Sequence, residues 1–411
     1  MLDIKFIREN PEKIKQSAKD KGVDLDIDKL LKVEDQYRNL NIEIQKLREE
    51  RNKAAKERDI EKGKEVKEKL EKQEDEFKNL ESELHNLLGK IPNPAKPDVK
   101  TGKDESENDV IKTFGTPKKF SFTPKDHLAI GEHLGIIDMT SAAKVSGARF
   151  TYMKGDGALL ELALVQFALE ILIKEGFTPV IPPVLIKHDV MRSLGYMENG
   201  GDEDMFQLKD DGLVLVGTAE HSLVPMHKDE VLQKKDLPIR YVGYSPSFRR
   251  EAGSYGKDTR GILRMHEFNK VEMVSFVEDG KDDEEHDFLL ALEEKLFQAL
   301  DIPYQVVKMC TGDLGFPVAR KYDIEAWMPG QDKFREVTSV STVTDFQSRR
   351  LNIKYQDGNE KKYANILNGT AFAMSRTPIA ILENYQQEDG SVIIPEVLRK
   401  YMGKDKIIPQ K

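Results

Sequence analysis

Tyr244-Ser245-Pro246-Ser247-Phe248-Arg249-Arg250-Glu251-Ala252-Gly253 leads into a Gly-rich polar segment that closes at Arg260-Gly261. The chain then resumes Arg264-Met265-His266-Glu267-Phe268-Asn269-Lys270-Val271-Glu272-Met273-Val274. Two β-rich runs around a long polar loop predict a pair of strands. On the second run the side-chain period of two puts Arg264, His266, Phe268, Lys270 and Glu272 on one face. A face that mixes bases, a ring and an acid is poor core material. Either it pairs across the sheet with its neighbours, or it meets a charged ligand.

Outward from this pair, helical patterns (158–175 and 284–300) alternate with short β-rich runs (180–186, 213–217, 240–244, 263–277, 334–342 and 363–367). The strands come in blocks without a βαβ rhythm, which predicts an α+β domain around an antiparallel sheet. Thr123-Pro124-Lys125-Asp126 reads as a helix start, with a hydroxyl cap, Pro at the first helical position and an acid at the third. The most apolar segment, Ala158 to Ile173, is interrupted by Glu161, Gln166 and Glu170, so it reads as a buried amphipathic helix and not as a membrane span. The chain has no G-x-x-x-x-G-K-[ST] phosphate loop, no G-x-G-x-x-G after a strand and no H-E-x-x-H, and its eight histidines show no metal spacing. If ATP binds, charged side chains must hold its phosphates, and the stretch from Tyr244 to Val274 offers them.

Toward the N-terminus the composition changes sharply near residue 90, before which Lys, Glu, Leu and Arg dominate. Two segments there keep a 4,3 apolar spacing. One runs Val33, Tyr37, Leu40, Ile44, Leu47, Arg51, Ala54; the other runs Val66, Leu70, Gln73, Phe77, Leu80, Leu84, Leu87. Only Arg51 and Gln73 break the pattern, so both read as a coiled-coil seam. With Gly63 in the break between them, the expectation is an antiparallel helical hairpin (about 28–88) roughly 45 Å long. Around its tip, eleven bases between Lys46 and Lys72 face eight acids. Charge leaves two readings open: a solvated face laced with i,i+4 pairs, or an arm whose basic flank tracks a phosphate backbone. A Pro-, Lys- and Asp-rich linker or extended connection follows over 91–117, and a domain boundary is expected at 105/106.

The length of 411 residues favours two or three domains. Lys plus Arg is 64 against 73 Asp plus Glu, a net charge of −9, which rules out a globally basic surface and confines nucleic-acid contact to a local patch. The single Cys310 excludes internal disulfides and cysteine zinc clusters and suits a reducing compartment. Met1-Leu2-Asp3-Ile4-Lys5 lacks the apolar core and cleavage site of a signal peptide, so the expectation is a cytoplasmic protein with no membrane contact.

Phe-Arg-x-Glu, a long loop and Arg-x-x-x-Phe-x-x-x-Glu together resemble motif 2 of class II aminoacyl-tRNA synthetases. Gly176-Phe177-x-x-Val180-x-x-Pro183-Val184-Leu185 resembles their dimer-forming motif 1. Asn368-Gly369-Thr370-Ala371-Phe372-Ala373-Met374-Ser375-Arg376 resembles motif 3. Thr218-Ala219-Glu220-His221, Tyr322-Asp323-Ile324-Glu325-Ala326-Trp327-Met328-Pro329-Gly330 and Glu336-Val337-Thr338-Ser339 resemble the seryl-tRNA synthetase family specifically, as does the N-terminal arm. The resemblance spans essentially the whole chain. It implies a tRNA-binding N-terminal domain over 1–105 and, over 106–411, a class II catalytic domain built on an antiparallel sheet flanked by helices.

The activity implied is ATP-dependent activation of L-serine to seryl-adenylate, then transfer of serine to the 3′ end of tRNA-Ser, with charging of tRNA-Sec left open. By resemblance, Arg249 and Arg376 are the catalytic residues, Arg249 at the α-phosphate and Arg376 at the γ-phosphate. Glu251 contacts the adenine; Met265, His266, Glu267 and Phe268 form its platform, with Phe268 stacked on the base. Arg250, Val337 and Thr338 complete the ATP-binding set, and Glu336 and Ser339 hold Mg²⁺ through hard oxygen ligands. Thr218, Ala219, Glu220, Glu272 and Thr370 match the serine-binding positions, the two acids sharing the ammonium and the hydroxyl. The arm would grip the long variable arm of tRNA-Ser, and in a homodimer the arm of one subunit would serve the site of the other. Arg250 and Glu267 depart from the family pattern and are candidates for pairing with each other. Motif 3 departs as well, though Thr370 keeps a hydroxyl.

Overall fold

In the computed structural model, residues 1–198, 200–252, 258 and 260–409 are described. They divide into two units, Met1–Pro94 and Ala95–Lys411. In the first, two short helices (Ile4–Glu9 and Pro11–Asp20) precede two long ones, α1 (Ile27–Glu57) and α2 (Ile60–Gly89). Asp26 caps α1 by accepting from the Lys29 N–H at 2.8 Å. Helices of 31 and 30 residues are each about 45 Å long. Val33, Leu40, Ile44 and Ala54 of α1 and Val66, Leu70 and Leu84 of α2 are buried along the seam, and Tyr37 stacks on Phe77 at 4.6 Å. Gln73, one polar exception, donates across the hairpin to Glu43 at 3.1 Å.

The reversal is not at Gly63, which lies within α2. It comes at Arg58, in the left-handed region at φ 60°, followed by Asp59, whose carboxylate caps the Lys62 N–H at 3.1 Å. A capping carboxylate starts the helix ahead of the glycine, and a helix-interior glycine costs only about 1 kcal/mol.

The second unit is built on an eight-stranded sheet. Its elements are β1 (Asp109–Phe114), α3 (Asp156–Lys174), β2 (Thr178–Val180), β3 (Ile239–Phe248), β4 (Glu267–Val277) and α4 (Asp282–Ala299). They continue with β5 (Tyr304–Lys308), β6 (Arg320–Met328), β7 (Lys333–Thr344), β8 (Asn365–Ala373) and α5 (Thr377–Tyr385). The strand order is β1-β5-β6-β7-β8-β4-β3-β2. Every neighbouring pair is antiparallel except β2, which runs parallel to β3. Leu160 and Leu164 of α3, Leu292 and Phe297 of α4 and Ile379 of α5 close one core with Met273, Val340 and Phe372 of the sheet. Each such fully buried side chain contributes about 1.5–3 kcal/mol.

Several expectations need correction. The helix after Thr123 begins at His127, and its cap is Asp126, which accepts from the Ala129 N–H at 2.8 Å. Lys125 is held instead by the Gln386 side chain, its N–H donating to Oε1 at 2.8 Å, so the Thr-Pro start is not used. The run 180–186 is split by Pro182 and Pro183 into β2 and a separate short strand, Leu185–Lys187. The second motif-bearing strand starts at Glu267, leaving Arg264 and His266 ahead of it. The last run extends through Gly369 to Ala373. β1, β5 and β6 were not among the expected runs; β6 alternates charge with apolar residues, burying Ile324, Ala326 and Met328. Residues 95–108 are pinned to the second unit: the Lys96 ammonium pairs with Asp282 and Asp283 at 2.7 Å, and its N–H donates to the Ala319 carbonyl at 2.9 Å. The two compact units divide at Pro94/Ala95. Among the described residues, no helix is long and apolar enough to cross a membrane.

Candidate active site

A short helix, Glu220–Leu223, is seated directly on β3 because Gly243 has no side chain. A Cβ there would lie 2.7 Å from Ala219 Cβ and 2.9 Å from Leu223 Cδ1. This close approach puts Glu220 in the interior, where the Tyr196 hydroxyl and Gln347 Nε2 each donate to its Oε1 at 2.9 Å. Burial raises the Glu220 pKa to about 7; the Gln347 hydrogen bond opposes the rise and neighbouring Glu272 adds to it. On β4, Lys270 Nζ is 2.8 Å from Glu272, whose Oε2 also accepts from the Thr370 hydroxyl at 2.9 Å. Thr218 Oγ1 is buried with no hydrogen-bond partner. A buried hydroxyl of this kind is chemically suited to pair with a polar ligand group.

Next along the sheet lies a cleft of about 610 Å³ whose lining includes Lys321, Asp323, Arg335, Glu336 and Arg376. Arg376 Nη1 stands 2.8 Å from Glu336 Oε2. Desolvation raises the Glu336 pKa, but the Arg376 charge and then Lys321 more than offset it, holding the carboxylate at about 2. Lys321 pairs with Asp323 at 3.0 Å, yet burial, with Glu336 adding, pushes Asp323 up to about 7. Arg249 sits between the two regions: its guanidinium lies 5.5 Å over the Phe268 ring, and its charge acts on His221, Lys270 and Glu336. Buried His221 is driven down to about 3 by desolvation, then by Lys270 and Arg249, so it stays neutral.

The fold therefore gathers most of the candidate residues. Glu272 and Thr370 are hydrogen-bonded to each other, Glu220 is hydrogen-bonded to Tyr196 and Gln347, Glu336 and Arg376 line the cleft as an ion pair, the Arg249 guanidinium lies over Phe268, and Ser339 is half-buried on β7. Arg250, Glu251 and His266 line a second cleft of about 690 Å³, where Glu251 holds Arg264 Nη1 at 3.1 Å. Four side chains turn inward: Ala219 packs on β3, Met265 joins the core, and Val337 and Thr338 are buried, the Thr338 hydroxyl donating to the Thr370 carbonyl. Glu267 is exposed at the start of β4. Arg250 does not pair with it; its guanidinium lies over the Phe206 ring at 5.8 Å. Gly253, at the end of the quoted motif, lies outside the described residues. Tyr196, Gln347 and Lys321 had not been singled out. Lys321 and Asp323 are detectable as the charged positions of an alternating strand, whereas Tyr196 and Gln347 reach Glu220 only through tertiary contact.

Among the described residues, no three His, Cys, Asp or Glu side chains gather into a metal cage. Glu336, ionised and facing the cleft with Ser339 on the same strand, suits Mg²⁺, which takes one or two carboxylates and completes its shell with phosphates and water.

Comparison with known proteins accords with this geometry. Residues 1–95 match the seryl-tRNA synthetase N-terminal domain and residues 205–385 match the tRNA synthetase class II core domain (G, H, P, S and T). The serine–tRNA ligase of Dictyoglomus thermophilum is 45% identical with full coverage of both chains, and that of Treponema denticola is 43% identical, covering 99% of this chain and 100% of the relative. The crystal structure of seryl-tRNA synthetase from Pyrococcus horikoshii complexed with ATP superposes with a TM-score of 0.93 at 42% identity over all of both chains. The cytoplasmic serine–tRNA ligase from Naegleria fowleri in complex with AMP gives 0.90 at 31%, covering 100% of this chain and 99% of that one. With the arm, the class II sheet and full-length identity in agreement, the chain belongs to the seryl-tRNA synthetase family.

Proposed function

We propose that Arg249 and Arg376 hold the triphosphate of ATP while the pocket of Thr218, Glu220, Glu272 and Thr370 holds the amino acid beside it. The chain activates L-serine with ATP to seryl-adenylate and transfers serine to the 3′ end of tRNA. One observation carries the assignment of residues: Phe268, under the Arg249 guanidinium at 5.5 Å, shares a face of β4 with Glu272, which accepts from the Thr370 hydroxyl at 2.9 Å. A carboxylate in the pocket would then face the α-phosphorus next to a fixed cation. A serine carboxylate oxygen attacks that phosphorus, the bond to pyrophosphate breaks, and a ribose hydroxyl of tRNA later attacks the acyl carbon and releases AMP. No enzyme nucleophile is needed; positioning and charge stabilisation supply the rate. Glu251 and the 265–268 platform would receive the adenine, with Phe268 against the base. Glu336 and Ser339 would hold Mg²⁺, which neutralises developing charge on the phosphates.

The pocket's polar lining suits serine. A site whose hydrogen-bonding groups are left unpaired by alanine rejects it by about 10⁴–10⁵, far more than an apolar slot can. For tRNA-Ser, the arm offers seven bases (Lys46, Arg51, Lys56, Arg58, Lys62, Lys64 and Lys72) with no carboxylate within 4.0 Å among the described residues; the other four tip bases are paired. This favours the reading in which the flank tracks a phosphate backbone. Leu159, Leu162 and Ile173 of α3 and Ile181 beyond β2 are exposed, which suits a homodimer formed through motif 1. The lone buried thiol of Cys310 is in keeping with the cytoplasm. The test is pyrophosphate exchange with serine, glycine and alanine in turn. Serine-dependent exchange is expected, and Arg249→Ala should lower it about 10²–10³-fold. Exchange with glycine or alanine but not serine refutes the assignment of the pocket.

A further inference from the structure

Arg264 lines the cleft that holds Glu336 and Arg376. Its Nη1 is 3.1 Å from Glu251 and its Nε 3.2 Å from Asp258, which also pairs with Arg335 of the same cleft. The chain reaches Arg264 through Gly261 and Ile262, and this approach is seated on a buried ring. His127, the first residue of the short helix His127–His133, accepts at Nε2 from the Ile262 N–H at 3.2 Å. The backbone comes so close that a Cβ on Gly261, whose φ is +79°, would lie 2.1 Å from that nitrogen. Only glycine is accommodated there. Beyond Arg264, the His266 N–H donates to the Arg149 carbonyl at 3.0 Å, so the arginine stands between two backbone anchors.

The other ring nitrogen of His127 faces Glu383 of α5, a fully buried carboxylate. Glu383 Oε1 lies 3.1 Å from His127 Nδ1 and accepts from the His127 N–H at 3.0 Å. Its Oε2 accepts at 2.9 Å from the N–H of Gly330, which lies between β6 and β7. The amide proton of Ile262 cannot move, so Nε2 must present a lone pair to it. A ring with one proton then carries that proton on Nδ1, toward the carboxylate. Glu383 thus selects the tautomer that can hold Ile262. Because α5 starts directly after Arg376, the helix that follows one cleft arginine also orients the ring that seats another.

We infer that His127 is a positioning residue of the ATP cleft: with Nδ1 donating to Glu383, its Nε2 holds the Ile262 N–H and so sets where Arg264 stands. The inference rests on the reading of that cleft as the ATP site. His127 and Glu383 are not among the residues that line the cleft, so they act through the backbone they hold. The consequence is specific to ATP, because the acids of the amino-acid pocket are held by other groups, Glu220 by Tyr196 and Gln347 and Glu272 by Lys270 and Thr370.

The test is steady-state pyrophosphate exchange on the full chain, with KM measured separately for ATP and serine. His127→Asn keeps a donor near the place of Nδ1 but has no acceptor that reaches Ile262. It should raise ATP KM about three- to tenfold, the worth of one hydrogen bond, and leave serine KM within about twofold of the parent. His127→Gln sets an amide oxygen near the place of Nε2, so ATP KM should return to within about twofold. A silent Asn variant, a Gln variant as impaired as Asn, or a serine KM that rises as far as ATP KM would each overturn the inference. Should His127→Asn not fold, His127→Gln and Gly261→Ala decide. The added methyl of Gly261→Ala pushes the backbone off the ring and should raise ATP KM, so a silent Ala or an impaired Gln overturns the inference. Long-range ¹H–¹⁵N spectra of the full chain labelled with ¹⁵N-histidine read the tautomer directly, the His127 signals being those lost in His127→Gln. A proton on Nδ1 is expected; a proton on Nε2 at neutral pH overturns the inference without reference to ATP. Lack of exchange in the parent, or Arg376→Ala with ATP KM unmoved, would instead overturn the reading of the cleft, and the inference with it.

Discussion

Replacing Glu220 with Gln should reshape the pH dependence of stability. Glu220 has an ordinary value of 4.5 when unfolded and about 7 in the folded chain, raised chiefly by burial. Below pH 4.5 the carboxyl is protonated in both states and does not affect folding. As pH rises from 4.5 to 7 the unfolded chain releases the proton and the folded chain keeps it, so stability falls across that window and the loss is complete above 7. At about 1.4 kcal/mol per unit, the gap corresponds to about 3 kcal/mol. Gln is neutral and close to isosteric, and it can still accept from Tyr196 and Gln347. Glu220→Gln should therefore gain about 3 kcal/mol relative to the parent on going from about pH 4.5 to about pH 8. Urea titrations at several pH values, read by the fluorescence of Trp327, report on the second unit alone. Trp327 is the single tryptophan, on β6 with its ring edge-on to Phe334 at 5.1 Å. Taking the difference between variant and parent removes the contributions of Asp323, His221 and the other titrating groups. Parallel stability curves for the two proteins would refute the argument, because they would mean that Glu220 is ionised at neutral pH in the fold.

Deleting residues 34–86 should leave serine-dependent pyrophosphate exchange intact while lowering tRNA charging at least about tenfold. Charging by the intact chain should also fall steeply with added salt, as expected when Lys and Arg displace counterions from phosphates; charging rates that survive the deletion would refute the role of the arm. Leu162→Glu, placed on the exposed apolar face of α3, should shift the chain toward monomer in analytical ultracentrifugation. An unchanged sedimentation coefficient would refute that face as the dimer contact.

The strand pair around Arg249 was legible because its chemistry is periodic: Phe268, Lys270 and Glu272 do share a face of β4, opposite Ser247, Ser245 and Gly243 of β3. The arm was legible for the same reason, since a narrow seam of seven positions on each helix leaves few other ways to bury Leu40, Ile44 and Leu70. Ends of elements were less so. Thr123 and Gly63 both look like boundaries in isolation, and both lose to an Asp placed to cap the first free N–H groups, Asp126 and Asp59. β6 escaped notice because its polar face, Lys321, Asp323 and Glu325, lines a cleft in place of solvent, which blurs its pattern.

Residue types and their spacing were enough to establish the family, the arm and the charged groups that the chemistry requires, because those are properties of local periodicity and short motifs. Protonation states and supports came from the packed fold. Tyr196 and Gln347 meet Glu220 from 24 and 127 residues away, and Thr338 reaches the Thr370 carbonyl from another strand. A carboxyl's charge depends on how much water and which neighbours surround it, and that environment exists only after distant segments have closed over it.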